Sequence, residues 1–189
     1  EVRWIPILCR QAGCTPMIRV PGLDPNWIKK ALDIGANTVM VPQINTAEEA
    51  RLAVEYAKYP PDGSRGVSPL WTTFMNVSWQ DYLPVANQET CVIVQIETAE
   101  GIENLDAIAA VEGVDIVFAG PADLAATMGV IGHPETPQVQ QFLADFPARV
   151  TAQGKAAGIT FNTLEEARRS WDQGYRFINI GTLMHHGID

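Results

Sequence analysis

Six short apolar runs alternate along the chain with longer segments that mix charged and apolar positions. The runs are TPMIRV (15–20), TVMVP (38–42), CVIVQIE (91–97), DIVFAG (115–120), AGITF (157–161) and FINIG (177–181). They are apolar at successive positions, not at every second one. Strands covered on both faces have this signature, so the pattern predicts buried parallel strands. The intervening segments carry helix signals. DPNWIKKALDIG (24–35) opens with an Asp cap and a Pro at the first helical position, and stops at Gly35. NTAEEARLAVEYAKY (45–59) and NTLEEARRSWDQG (162–174) each set a Thr three residues before a Glu, a capping box. Their likeness suggests a repeated βα unit. TPQVQQFLADFPARVTAQG (136–154) predicts a longer helix, bent at Pro147.

Strand–helix–strand order with short connections means parallel strands and right-handed crossovers. The expected fold is α/β, either a (β/α)8 barrel or an open doubly wound sheet. No Gly-x-Gly-x-x-Gly follows any run, which weakens the dinucleotide-binding version of the open sheet. One interval breaks the alternation. Residues 59–90, YPPDGSRGVSPLWTTFMNVSWQDYLPVANQET, begin with a Pro-Pro-Asp-Gly turn. They predict a long loop with a short helix in VSWQDYLPVANQ, placed to cover a site or touch another subunit.

Composition narrows the partners. The net charge of −9 without a basic run argues against nucleic acid. No stretch suits a membrane surface, and no apolar run nears the roughly 20 residues that span a bilayer. Cys9, Cys14 and Cys91 are odd in number and form no disulfide framework. Cys91 opens an apolar run and is expected as a small core residue. Cys9 and Cys14 lack the further ligands of a zinc site. A reducing, cytoplasmic setting is expected. The 189 residues read as one domain, 1–189, truncated at both ends.

Parallel βα proteins place their chemistry at the carboxyl ends of the strands. Arg19, Glu97 and Asp123 stand there. Two acids facing one site suit a divalent cation such as Mg²⁺, Mn²⁺ or Co²⁺, which takes one or two carboxylates and leaves room for water and substrate oxygens. GPADLAATMG starts a helix directly after a strand, so amides near Ala122 and Asp123 would face an anion, which Arg19 would clamp. A 2-oxo acid such as pyruvate meets these demands. Plainer roles compete: Glu97 as a cap or a surface acid, Asp123 as a helix cap, Arg19 as the partner of Asp33. His133 falls in a loop and is expected at the surface. His185 and His186 follow the last run and would border the same face. Trp71, Phe74 and Trp79 are expected in loop packing, with pocket lining as the alternative.

The segments MIRVP, IKKALDIGANTVMVPQINTAEEA, YPPDGSRGV, DYLPVANQETCVIVQIET, VEGVDIVFAGPADLAATMG and GKAAGI together resemble the HpcH/HpaI family of class II, metal-dependent aldolases. Within it they point to aldolases of 4-hydroxy-2-oxoheptanedioate and 2-keto-3-deoxy-L-rhamnonate. The resemblance implies a (β/α)8 barrel, of which this chain carries about six of eight βα units. It implies Glu97 and Asp123 as metal ligands, and Arg19 as the arginine that holds the pyruvyl group. Gln95 would line the pyruvate pocket, and the backbone from Gly120 through Pro121 and Ala122 to Asp123 would bind the carboxylate. Asp33 would orient a catalytic histidine. That histidine belongs to a D-x-E-H segment expected ahead of Glu1, and a last helix is expected after Asp189. The family forms hexamers, as trimers of dimers. The activity implied is retro-aldol cleavage of a 2-oxo-4-hydroxy acid to pyruvate and an aldehyde through a metal-stabilised enolate. Two alternatives are an oxaloacetate decarboxylase of the macrophomate synthase kind, and a binding subunit without catalysis.

Overall fold

The computed structural model describes residues 4–161 and 163–181. Six parallel strands form one sheet: β1 (Met17–Arg19), β2 (Thr38–Val41), β3 (Cys91–Ile96), β4 (Ile116–Ala119), β5 (Ala156–Phe161) and β6 (Phe177–Ile180). Five lie inside their apolar runs, and β5 begins one residue ahead of its run, at Ala156. They stand side by side in chain order, β1 to β6. A doubly wound sheet reverses its order at a switch point. This one never does, so the open-sheet alternative is excluded. The sheet is a partial barrel of the TIM type.

Helices connect the strands. They are α1 (Ile5–Gln11), α2 (Pro25–Asp33), α3 (Ala47–Ala57), α4 (Trp71–Met75), α5 (Trp79–Tyr82), α6 (Ala86–Glu89), α7 (Ala99–Glu103), α8 (Leu105–Ala109), α9 (Pro121–Thr127), α10 (Pro137–Ala152) and α11 (Leu164–Asp172). The capping signals work as expected. The Asp24 side chain accepts from the Asn26 and Trp27 amides, and both Thr–Glu capping boxes form, Thr46 with Glu49 and Thr163 with Glu166. The interval 59–90 is more helical than expected. It holds α4, α5 and α6, and VSWQDYLPVANQ splits into the last two.

Period-two geometry sorts the strand side chains. Val39, Val41, Val92, Val94, Ile96, Val117, Ala119, Ala157 and Ile159 join the helices in the main core. Met40, Ile93 and Phe118 form a smaller cluster on the other face, with Cys91, Ile116 and Phe177 packed against it. Cys91 is therefore half-buried at the rim of that cluster, not deep in the core. Gly158 makes room there. A Cβ at this position would meet the Phe118 ring at 2.7 Å.

Helix α10 continues through Pro147. Proline has no N–H to give the carbonyl four residues back. Here the fully buried Tyr175 hydroxyl donates to that Leu143 carbonyl at 2.8 Å, and the Tyr175 ring stacks on Phe146. Among the described residues no helix is long and apolar enough to cross a membrane.

Candidate active site

The inner face of the sheet changes from apolar to polar along the strands. On β3 the alternation Cys91, Ile93, Gln95 leads to Glu97 just past the strand. Arg19 ends β1, Thr160 lies near the end of β5 and Asn179 near the end of β6. Arg19, Gln95, Gly120, Pro121, Ala122, Asp123, Thr160 and Asn179 line one cavity of about 300 Å³, with Met17, Met40 and Phe118 as its apolar wall. The expected cluster is thus brought together at the carboxyl ends of the strands.

Glu97 lies just behind this wall and is 5% exposed. Its Oε1 accepts from the Gln43 amide at 3.0 Å, and its Oε2 accepts from Gln95 Nε2 at 2.6 Å. Burial raises its pKa. The Asp123 carboxylate raises it further, while the Gln43 amide and the Arg19 charge oppose both. Asp123 and Arg19 themselves are exposed to the cavity.

Three backbone features support Glu97. Gln43 sits at φ +56°, a left-handed conformation that costs a non-glycine residue energy and here goes with the amide bond to Glu97. The Ile44 amide bonds the Gln95 carbonyl at 3.1 Å, fastening the loop after β2 to β3. Gly120 leaves space, since a Cβ there would lie 2.9 Å from Gln95 Nε2 and 3.0 Å from Glu97 Oε2. Gly120 is also the N-cap of α9, and no side chain caps that helix.

The donor set fits a hard divalent cation. Among the described residues there is no group of three or more His, Cys, Asp and Glu that could hold a metal. Two carboxylates, one buried and one open, match an ion that keeps most of its shell for water and substrate. The buried Gln95 Oε1 has no hydrogen-bond partner, so one more hard oxygen faces the same region.

Asp33 is not part of this cluster. It ends α2, which returns towards the start of β2, and it lines a different cavity of about 570 Å³ with Trp4, Lys29, Trp71 and Phe74. Its partners are Lys29 and the buried Arg65, whose Nη2 is 2.7 Å from Asp33 Oδ1. The pairing of Arg19 with Asp33 is therefore overturned. Trp71 and Phe74 do line a pocket, but this one. Trp79 is exposed and its indole donates to Thr72 Oγ1. His133 is an exposed loop residue beside Glu135, as expected. His185 and His186 lie outside the described residues. Gln43, Thr160 and Asn179 were not singled out from the sequence. For the last two a signal existed: each is a polar residue interrupting an apolar run at an inward-facing position.

Comparisons with known proteins agree with this fold. The model of the HpcH/HpaI aldolase/citrate lyase family matches residues 6–189. A 5-keto-4-deoxy-D-glucarate aldolase from Escherichia coli is 42% identical over 171 residues, covering 90% of this chain and 67% of that protein. A solved HpcH/HpaI aldolase/citrate lyase family protein from Burkholderia cenocepacia superposes with a TM-score of 0.87 at 36% identity, over 98% of this chain and 76% of that one. Macrophomate synthase superposes at 0.79 with 27% identity, over 90% of this chain and 61% of its own. The chain belongs to the HpcH/HpaI aldolase/citrate lyase family, and with relatives named as aldolases it is an enzyme of the carbon–carbon lyase class.

Proposed function

We propose that the chain is a class II aldolase that cleaves a 2-oxo-4-hydroxy acid reversibly to pyruvate and an aldehyde. The observation that carries this is the buried Glu97 beside Asp123, behind a cavity wall that also presents Arg19 and Gln95. Glu97 and Asp123 are the residues that would hold the cation, with Mg²⁺, Mn²⁺ and Co²⁺ all suited to oxygen donors. When bound, it supplies the positive charge that polarises the keto group and stabilises the enolate.

The chain's own groups do the rest. Arg19 binds the pyruvyl oxygens beside the site where negative charge develops. Gln95 donates to Glu97 and so fixes the direction of that carboxylate. The uncapped start of α9, from Gly120 through Pro121 and Ala122 to Asp123, offers backbone amides to the substrate carboxylate. A cavity of about 300 Å³ suits a pyruvate-sized unit. Its lining includes Met17, Met40 and Phe118, which limit the water around the enolate. The full eight-unit barrel, a homo-oligomer of hexamer type and a cytoplasmic setting belong to the same proposal. The exposed Trp4, Leu70 and Phe74 around the second cavity support association between copies.

The test is turnover with a divalent cation present. Pyruvate release is measured from a panel of 2-oxo-4-hydroxy acids that includes dicarboxylic ones, since 5-keto-4-deoxy-D-glucarate is dicarboxylic. Cation-dependent release that falls to background in Glu97→Gln is the expected result. Release that survives in that variant would overturn the site assignment. A second reading has one observation in its favour: the structural likeness to macrophomate synthase, at a TM-score of 0.79. In that reading the same site forms the enolate by decarboxylating oxaloacetate. Oxaloacetate consumption without any aldol cleavage would select it.

A further inference from the structure

Cys9 and Cys14 have no role in the aldol site, yet the chain fold brings them together. Helix α1 ends at Gln11, followed by Ala12 as its C-cap and Gly13 at φ +74°. The Cys14 amide bonds the Cys9 carbonyl at 2.8 Å, and the Gly13 amide bonds the Arg10 carbonyl at 3.0 Å. These two bonds define a Schellman motif, whose outer bond joins the third-last helical residue to the second residue past the cap. Both of those positions are cysteine here. Side chains at this pair of positions commonly touch.

The geometry permits a bond between them. With standard bond lengths and angles, a backbone hydrogen bond this short keeps its two Cα atoms within roughly 6 Å. A disulfide needs roughly 4.4–6.8 Å. Cys14 is exposed and Cys9 half-buried. The Cys14 thiol does not point away from the turn. It leans back over it, with Sγ 4.0 Å from the Ala12 carbonyl.

We propose that Cys9 and Cys14 form a reversible disulfide that clips the end of α1. The oxidant is a small-molecule disulfide of the glutathione type. The exposed Cys14 thiolate attacks one of its sulfurs and forms a mixed disulfide, releasing one glutathione thiolate. Cys9, as its thiolate, then attacks the Cys14 sulfur and expels the second glutathione. Two protein thiols are oxidised, one glutathione disulfide is reduced to two thiols, and the two protein thiol protons end on the two expelled glutathione thiolates. Low-strain formation is favoured because the helix ending already holds the short loop closed. Cys91 is the internal control: burial pushes its thiol up to about 11, so it stays protonated and unreactive near neutral pH. The clip lies on the segment that leads into β1, where the Pro16 carbonyl accepts from the Asn37 amide at 3.0 Å.

The experiment uses the full chain treated with oxidised glutathione at neutral pH, then alkylation, intact mass and peptide mapping. The expected product has lost two hydrogens, with Cys9 and Cys14 both protected from alkylation and linked in one peptide, while Cys91 is alkylated after unfolding. A reductant restores both thiols. In Cys9→Ser, Cys14 should instead retain one glutathione. Wild-type protein that retains glutathione on Cys14, or that links Cys14 between two chains, overturns the proposal. So does Cys14 that stays fully alkylatable under conditions that oxidise a free cysteine.

Discussion

The surroundings of Glu97 oppose a charge on its carboxyl. Burial and the Asp123 carboxylate both raise its pKa, so the folded chain binds that proton more tightly than the unfolded chain does. The stability this contributes is fully present below the unfolded value, about 4.3, and is lost as pH rises through the raised folded value. Without a cation, Glu97→Gln should therefore raise the thermal midpoint at pH 7, and the gain should shrink as pH falls towards 4. The orphaned Gln95 Oε1 can turn to accept from the new amide, so the hydrogen bond survives the change. Adding Mg²⁺ should reverse the order, raising the wild-type midpoint and leaving the variant unmoved. Thermal melts at both pH values, with and without Mg²⁺, check this. A variant that is less stable at pH 7 in the absence of cation would sink it. Glu97 and Asp123 were legible in the sequence because an acid that closes an apolar run stands out. Gln43 was not. A left-handed φ at a non-glycine residue leaves no mark in composition, and its contact with Glu97 spans 54 residues.

At the level of elements, α2 and the excursion after α3 are joined through Asp33 and Arg65. The Arg65 side chain is 0% exposed, and its Nε and Nη1 have no hydrogen-bond partner. Its charge is met by Asp33 on one side and by the Tyr59 ring, 4.4 Å from the guanidinium carbon, on the other. Removing one member of such a pair leaves a bare buried charge. Asp33→Asn should cost about 3–5 kcal/mol in urea unfolding. A loss well under 1 kcal/mol would show that another group compensates Arg65. Full stability with lost turnover would instead put Asp33 in the reaction, as the family resemblance implies. The sequence showed Asp33 at a helix end but not its partner, because Arg65 lies 32 residues on, in a segment with no periodicity. The same lack of period hid α4 and the division of the expected short helix into α5 and α6. Helices of four or five residues are too short to display an apolar stripe.

For the whole molecule, the strands themselves and their parallel sense were the most legible feature. Runs buried on both faces are continuously apolar, and capping boxes mark where the return helices start. Only the choice between barrel arc and doubly wound sheet needed coordinates, since strand order depends on which face each crossover takes. That order has a further effect. Strand β3 has six residues and is held to β2 and β4 by four register pairs on each side, while β1 has only three residues. Hydrogen exchange should find the β3 amides protected by near-global unfolding and those of β1 released by local fraying. Equal protection of the two strands would count against it. Glu97 follows β3 and Arg19 ends β1, so the two halves of the site rest on ground of unequal firmness. Warming should loosen the grip on the organic acid before the grip on the ion, leaving a charged but empty-handed enzyme well below the temperature at which the fold itself gives way.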